Sequence, residues 1–249
     1  MSALPAALGR IRPAVEHRLT EVLEDCRRRW EDLGQAAPEL LGAASSVLSG
    51  GKRMRAVLGA TGCAILSTPE QRAECLTGSD AVHLGAALEL YQASALVHDD
   101  IIDHADERRG QPTPHRALAT RHSDAGWIGS SSAFGLNAAI LVGDFLFSAA
   151  TAQADEQALE LRADCVQTFT QRFADMHAEV ALGQYLDILA EQHPLDPQRA
   201  DALSADAALE VALHKSAHYS VVHPGVLGAI CGAPSLAQAL PLIEVLETT

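Results

Sequence analysis

The stretch SDAVHLGAALELYQASALVHDDIIDHADE, residues 79–107, decides the fold. Its apolar residues come in long runs without period-2 alternation, and Ser79 stands where an N-cap belongs. The pattern predicts one mostly buried helix of about 28 residues, roughly 42 Å long. It ends in acids. Asp103 lies four positions after Asp99 and three after Asp100, which places it on one helical face with both at roughly 5–6 Å between Cβ atoms. Like charges so placed repel by on the order of 0.2–0.5 kcal/mol per pair in water, and by more beside Leu96, Val97, Ile101 and Ile102. Such a face calls for cations. The segment GQPTP, residues 110–114, then breaks the helix.

The flanking sequence reads the same way. Residues 13–33 form a charged amphipathic helix that stops at Gly34, and Pro38 suits the first position of the next one. Gly50 and Gly51 interrupt the pattern, and KRMRAVLGATGCAIL resumes as a mostly buried helix. Long helical segments follow at about 131–154 and 156–192, the second ending at His193 and Pro194. Another helix begins at DPQRADAL, with Pro224 a kink or stop in its continuation. A short helix covers 234–248. With 48% hydrophobic residues and only 4% aromatics in 249 positions, the chain can bury a substantial core. The expectation is an all-α fold, a single domain over residues 1–249 with roughly ten helices around a central cavity.

A net charge of −14 argues against nucleic-acid binding. The five cysteines, Cys26, Cys63, Cys75, Cys165 and Cys231, are odd in number and widely spaced, which fits a reducing cytoplasm. The best apolar run, AAILVGDFLFSAA, carries Asp144 in its middle, so stable membrane insertion is not expected. The basic residues are almost all Arg; Lys occurs only at 52 and 215. A compact, strongly hydrated Lys suits a phosphate as a point charge. Lys52 follows two glycines and precedes Arg53 and Arg55, a turn able to bring backbone N–H groups and three cations to one anion. Lys215 sits beside the hydroxyl of Ser216 in HKSAHYS. Taken singly, each is an ordinary surface feature. Together, an acidic face, the Arg108–Arg109 pair beyond it and two lysine-bearing sites fit a diphosphate held through Mg²⁺, because carboxylates reach phosphate only through a hard divalent cation.

Five stretches, GGKRMR at 50–55, DDIID at 99–103, RRG at 108–110, GQYLD at 183–187 and HKSAHYS at 214–220, occur in the order and at about the spacing of one known family. From residue 50 to about 232 the chain resembles the trans-isoprenyl diphosphate (polyprenyl) synthases. The resemblance implies that Lys52, Arg55, Gln92 and Arg109 bind isopentenyl diphosphate, and that Asp99 and Asp103 ligate Mg²⁺ with Asp100 in support. It further implies that Arg108, Lys215 and Ser216 contact the allylic diphosphate, with Gln184 and Asp187 near the metals. Asp99, Asp103, Arg108 and Lys215 are then the catalytic set. The implied chemistry is ionisation of the allylic C–O bond, attack by the isopentenyl double bond and loss of a proton. In the family the product grows along the helix before the aspartates, and a bulky residue there blocks it. Ser94 and Ala95 are small and Tyr91, one turn earlier, is bulky, so the resemblance implies a product longer than farnesyl, geranylgeranyl diphosphate, with Tyr91 as ordinary core the equal alternative. Family members are commonly homodimers, for which segment 131–150 is a candidate face or else core.

The sequence has no Asp after Asp206, where the family carries a second aspartate-rich motif. The expectations that follow are a synthase represented in part, or a non-catalytic diphosphate-binding partner subunit. A metal phosphohydrolase using His98 and Asp99 leaves Lys52, Arg55 and Lys215 without a task. A terpene cyclase has no need of the isopentenyl residues.

Overall fold

The computed structural model describes residues 3–192 and 205–248. The described chain is helical apart from one two-residue ribbon, as the sequence predicts. The expected helix end at His193–Pro194 and the expected start at Asp196 lie outside the described residues. The helices are α1 (Ala3–Arg29), α2 (Ala36–Leu48), α3 (Met54–Ile65), α4 (Arg72–Cys75), α5 (Ser79–Ile102) and α6 (Pro114–Asp124). They continue as α7 (Ser131–Glu160), α8 (Ala163–Glu191), α9 (Ala205–Ala212), a π-helical stretch Leu213–Val222, α10 (His223–Gly232) and α11 (Leu236–Glu247). The chain divides into two compact units, with boundaries that fall inside α1, α5 and α7.

The first unit comprises Met1–Arg12, Met54–Gly85 and Ala154–Thr249. Its centre is α10, buried along most of its length. α3 packs against α10 through glycines on both sides. A Cβ on Gly62 would lie 3.0 Å from the Gly228 Cα, and one on Gly228 would lie 2.9 Å from the Gly62 Cα. Without side chains at the crossing, the two backbones approach closely. Phe169, Phe173 and Met176 of α8 and Leu227 and Ile230 of α10 fill the remaining core.

The second unit comprises Pro13–Arg53 and Ala86–Gln153. Val15 and Leu19 of α1, Leu41 and Leu48 of α2, Leu88, Leu90 and Val97 of α5 and Leu146 of α7 are buried there. Arg18 Nε donates to Gln153 Oε1 at 2.9 Å, and Arg121 pairs with Glu39 at 2.9 Å, tying α1 to α7 and α6 to α2.

Several boundaries differ from the sequence expectation. α1 begins at Ala3 and takes Pro13 into its interior, because Ala7 and Ile11 continue the buried stripe. It ends at Arg29, followed by a 3₁₀ turn, Glu31–Leu33, and the expected stop at Gly34 with φ 60°. Pro38 is the third residue of α2, still within the first turn, where a missing N–H costs little. The carbonyl of Gly78 accepts the first bond of α5, from Val82 N, so Ser79 is the first helical residue and not the cap. α5 has 24 residues, about 36 Å, and stops at Ile102.

The stop is a Schellman closure. His104 is left-handed at φ 53°, its N–H reaches the Ile101 carbonyl at 3.3 Å, and Ala105 N–H reaches the Asp100 carbonyl at 3.0 Å. A histidine in the position glycine usually fills left no breaker for the sequence pattern to show. Glu107–Arg108 and Gln111–Pro112 then pair antiparallel across Arg109 (φ 56°) and Gly110 (φ 73°), two left-handed residues that make a tight hairpin. α6 was not expected at all, since its charged sequence carries no apolar stripe. α7 and α8 break at Leu161–Arg162, later than the expected residue 155 and without Gly or Pro.

Candidate functional site

The acidic end of α5 lies in the second unit. Asp103 N–H bonds the Asp99 carbonyl at 2.8 Å, so the helical register runs to the Schellman closure and keeps the two carboxylates one turn apart. Asp100 is 2% exposed, Asp99 half-buried and Asp103 exposed. The hairpin folds Arg108 back onto the acids: its Nε donates to Asp100 Oδ1 at 2.7 Å and its Nη2 to Asp99 Oδ2 at 3.1 Å. Burial pushes the Asp100 carboxyl upward against the opposing hydrogen bond from Arg108. The repulsion expected from sequence is thus met in part by a residue the sequence reading directs toward a diphosphate. Asp99 and Asp103 offer the two carboxylates Mg²⁺ takes, and exposed Asp103 leaves room for the water and phosphate oxygens that complete its octahedron, so this donor set fits that ion.

The glycine turn belongs to the same unit. Gly50 and Gly51 are left-handed at φ 73° and 95°. Arg109 packs against the turn: a Cβ on Gly51 would lie 3.3 Å from its Nη1. Lys52 is exposed and Gln92 half-buried on α5. Lys52 and Arg109, both read as isopentenyl diphosphate ligands, therefore flank one turn.

Arg53 departs from the expectation of three cations around one anion. It is 8% exposed, turned inward to Glu89 at 3.3 Å, with the Leu48 carbonyl and, at 3.7 Å, Glu16 as further partners. A buried Glu89, 5% exposed, requires a counter-charge, and Arg53 supplies it.

The remaining predicted residues belong to the first unit. Arg55 donates to Ser220 Oγ at 2.6 Å and lies 4.1 Å over the Tyr219 ring, while its buried Nε has no hydrogen-bond partner. Lys215 donates to Asp187 Oδ2 at 2.5 Å, joining HKSAHYS to the end of GQYLD. Gly183 makes that approach possible, since a Cβ there would lie 2.7 Å from the Lys215 Cα. Gln184 is half-buried beside it and Ser216 exposed.

Sequence reasoning missed Glu179. Its Oε1 lies 2.6 Å from both His214 Nδ1 and His218 Nδ1, and its Oε2 lies 2.6 Å from His223 Nε2. Burial alone would raise this carboxyl, but hydrogen bonds from His218, His223 and His214 outweigh it and hold the group down at about 2. The available signal was three histidines spaced four and five apart, visible only to a reader expecting π winding. His98, the other half of the hydrolase reading, faces Asp144 at 3.5 Å.

The family model for polyprenyl synthetases matches residues 37–246. Over 200 residues the chain is 30% identical to the heterodimeric geranylgeranyl pyrophosphate synthase large subunit 1 of Arabidopsis thaliana, covering 76% of this chain and 45% of that protein. It is 31% identical over 148 residues to solanesyl diphosphate synthase 2 of the same plant, covering 56% of this chain and 31% of that protein. Among solved structures, the geranylgeranyl pyrophosphate synthase of Corynebacterium glutamicum, complexed with isoprenyl diphosphate and magnesium, superposes with a TM-score of 0.81. It is 30% identical, with 96% of this chain and 64% of that one covered. The farnesyl diphosphate synthase of T. brucei, at 23% identity and a TM-score of 0.73, shares the fold. The chain spans less than half the length of these two plant relatives. A match over residues 37–246, a range that includes the acidic helix end, the glycine turn and the Lys215–Asp187 pair, makes the chain a member of the polyprenyl synthetase family.

Proposed function

We propose that the protein condenses isopentenyl diphosphate with an allylic diphosphate, giving a longer trans-prenyl diphosphate. The observation that carries this is the end of α5, where a Schellman closure keeps Asp99 and Asp103 one turn apart and a hairpin folds Arg108 back onto Asp99. Asp99 and Asp103 would hold Mg²⁺, which supplies positive charge to the diphosphate oxygens when bound. The family resemblance assigns Arg108, Lys215 and Ser216 to the allylic diphosphate, whose C–O bond breaks with the electron pair leaving on the diphosphate. It assigns Lys52, Arg55, Arg109 and Gln92 to the isopentenyl diphosphate, whose double bond attacks the resulting cation. A proton is then lost from the adduct. Asp187 positions Lys215, and the resemblance assigns Gln184 a place near the metals.

The product assigned is geranylgeranyl diphosphate. Ser94, 2% exposed, and Ala95 leave the helix thin, and Tyr91, one turn earlier, is 5% exposed and set edge-on to Phe147 at 6.0 Å, a rigid floor. Incubation with Mg²⁺, isopentenyl diphosphate and farnesyl diphosphate tests the reading, and elongated prenyl diphosphate supports it. Hydrocarbon release indicates a cyclase and inorganic phosphate a hydrolase. Magnesium-dependent binding without turnover assigns the partner-subunit role instead. Tyr91→Ala is expected to lengthen the products by at least one isoprene unit, and an unchanged product distribution rejects Tyr91 as the floor.

The same reading includes a homodimer formed through α7. Ile140, Leu141 and Phe147 are 43%, 57% and 39% exposed on it, more apolar area than a solvated helix usually shows. Sedimentation equilibrium is expected to give twice 26.3 kDa, and a monomer at micromolar concentration rejects the interface.

A further inference from the structure

We infer that Glu179, His214 and His218 form a binding site for a zinc-class divalent cation, made of residues other than the α5 aspartates and selective against Mg²⁺. Among the described residues, this is the one group of three or more His, Cys, Asp or Glu side chains whose ligand atoms all fall within 4.8 Å of one another.

The winding of residues 213–222 builds it. Nine residues make 2.5 turns of α-helix, so His214 and His223 would face opposite sides. In a π-helix, with about 4.4 residues per turn, nine residues complete about two turns and four fall just short of one. His214, His218 and His223 therefore line one face, and α8 brings Glu179 to it.

The outer contacts are those of a ligand set. The other nitrogen of His214, Nε2, lies 3.2 Å from Glu210 Oε2, the carboxylate partner that orients a metal-bound imidazole. His223 Nε2 donates to the far oxygen of Glu179 and fixes the carboxylate. If His214 Nε2–H serves Glu210, a neutral ring presents the lone pair of Nδ1 to a Glu179 oxygen at 2.6 Å. Only a positive charge relieves that contact, either a second proton on the ring or a metal ion between the two groups. With bonds of about 2.0–2.2 Å to N and O ligands, the ion fits after the carboxylate withdraws by less than about 1 Å. Two imidazoles and one carboxylate suit Zn²⁺, Co²⁺ or Ni²⁺ and are poor ligands for Mg²⁺. Three protein ligands leave a fourth position for water. Bound there, the ion pins α8 to the stretch that carries Lys215.

The test uses the untagged full chain, stripped with a chelator and titrated with Co²⁺. One equivalent is expected to bind with visible ligand-field absorption of nitrogen–oxygen character. Zn²⁺ should displace it and excess Mg²⁺ should not. His214→Ala/His218→Ala should abolish the signal with helical circular dichroism unchanged, and His223→Gln should weaken affinity about tenfold while keeping the stoichiometry. Absence of the band overturns the site, as do its survival in the double variant, its loss to Mg²⁺, or a thiolate charge-transfer band placing the ion on cysteine. No outcome depends on turnover, so this site and the synthase reading fail independently.

Discussion

Asp99→Asn is expected to lower kcat/KM for prenyl elongation about 10³-fold, about 4 kcal/mol of transition-state stabilisation. The substitution keeps the side chain's size and a hydrogen-bond acceptor for Arg108 Nη2, which lies 3.1 Å away, but removes the negative charge. A neutral amide is a weak ligand for a hard dication, and one carboxylate at Asp103 remains. Folding should change little, because Arg108 keeps its shorter bond to Asp100 and Asp99 is partly exposed. The control is Asp106→Asn, an exposed acid paired with Arg116, which should stay within about twofold of the parent. The measurement is elongation of farnesyl diphosphate at saturating Mg²⁺, together with the Mg²⁺ dependence of diphosphate binding by calorimetry. A loss below tenfold in both would remove Asp99 from the metal site.

Arg53→Ala is expected to cost about 3–5 kcal/mol of folding stability, because it strands a buried carboxylate. The side chains of Arg53 and Glu89 are 7% and 6% exposed and meet at 3.3 Å, and Arg53 also donates to the Leu48 carbonyl. At about 2–4 °C per kcal/mol for a chain of this size, the midpoint should fall by roughly 6–20 °C. Replacing both partners, Arg53→Met with Glu89→Leu, should recover most of the loss, since two apolar groups leave no uncompensated charge. By contrast Lys52→Ala, one residue away and exposed, should stay within about 0.5 kcal/mol in stability. Chemical unfolding of the four chains decides it. Equal costs for Arg53→Ala and Lys52→Ala would show that Arg53 faces solvent.

Adjacent basic residues illustrate what a sequence conceals. Lys52 and Arg53 look alike in GGKRMR, yet one is exposed and the other neutralises an acid 36 positions away. The same holds for Arg108, which reads as a diphosphate ligand and in the fold grips Asp99 and Asp100. The helix end at Ile102 escaped notice because the left-handed residue is His104, not glycine, and α6 because solvent covers most of its surface. The acids one turn apart, the glycine turn and the Lys215 stretch were legible because each is a local pattern of charge or backbone freedom.

The sequence by itself determined the all-α class, the positions of most helices and the segments that carry the acids and the cations. Those properties follow from periodicity and chain breakers within a few residues. Only the tertiary structure decided which charges pair with each other, that residues 213–222 wind as a π-helix, and that Glu179 meets His214, His218 and His223. Side-chain partners 35 or more positions apart are chosen by packing between helices, and a change of winding is stable only when neighbouring helices supply its contacts.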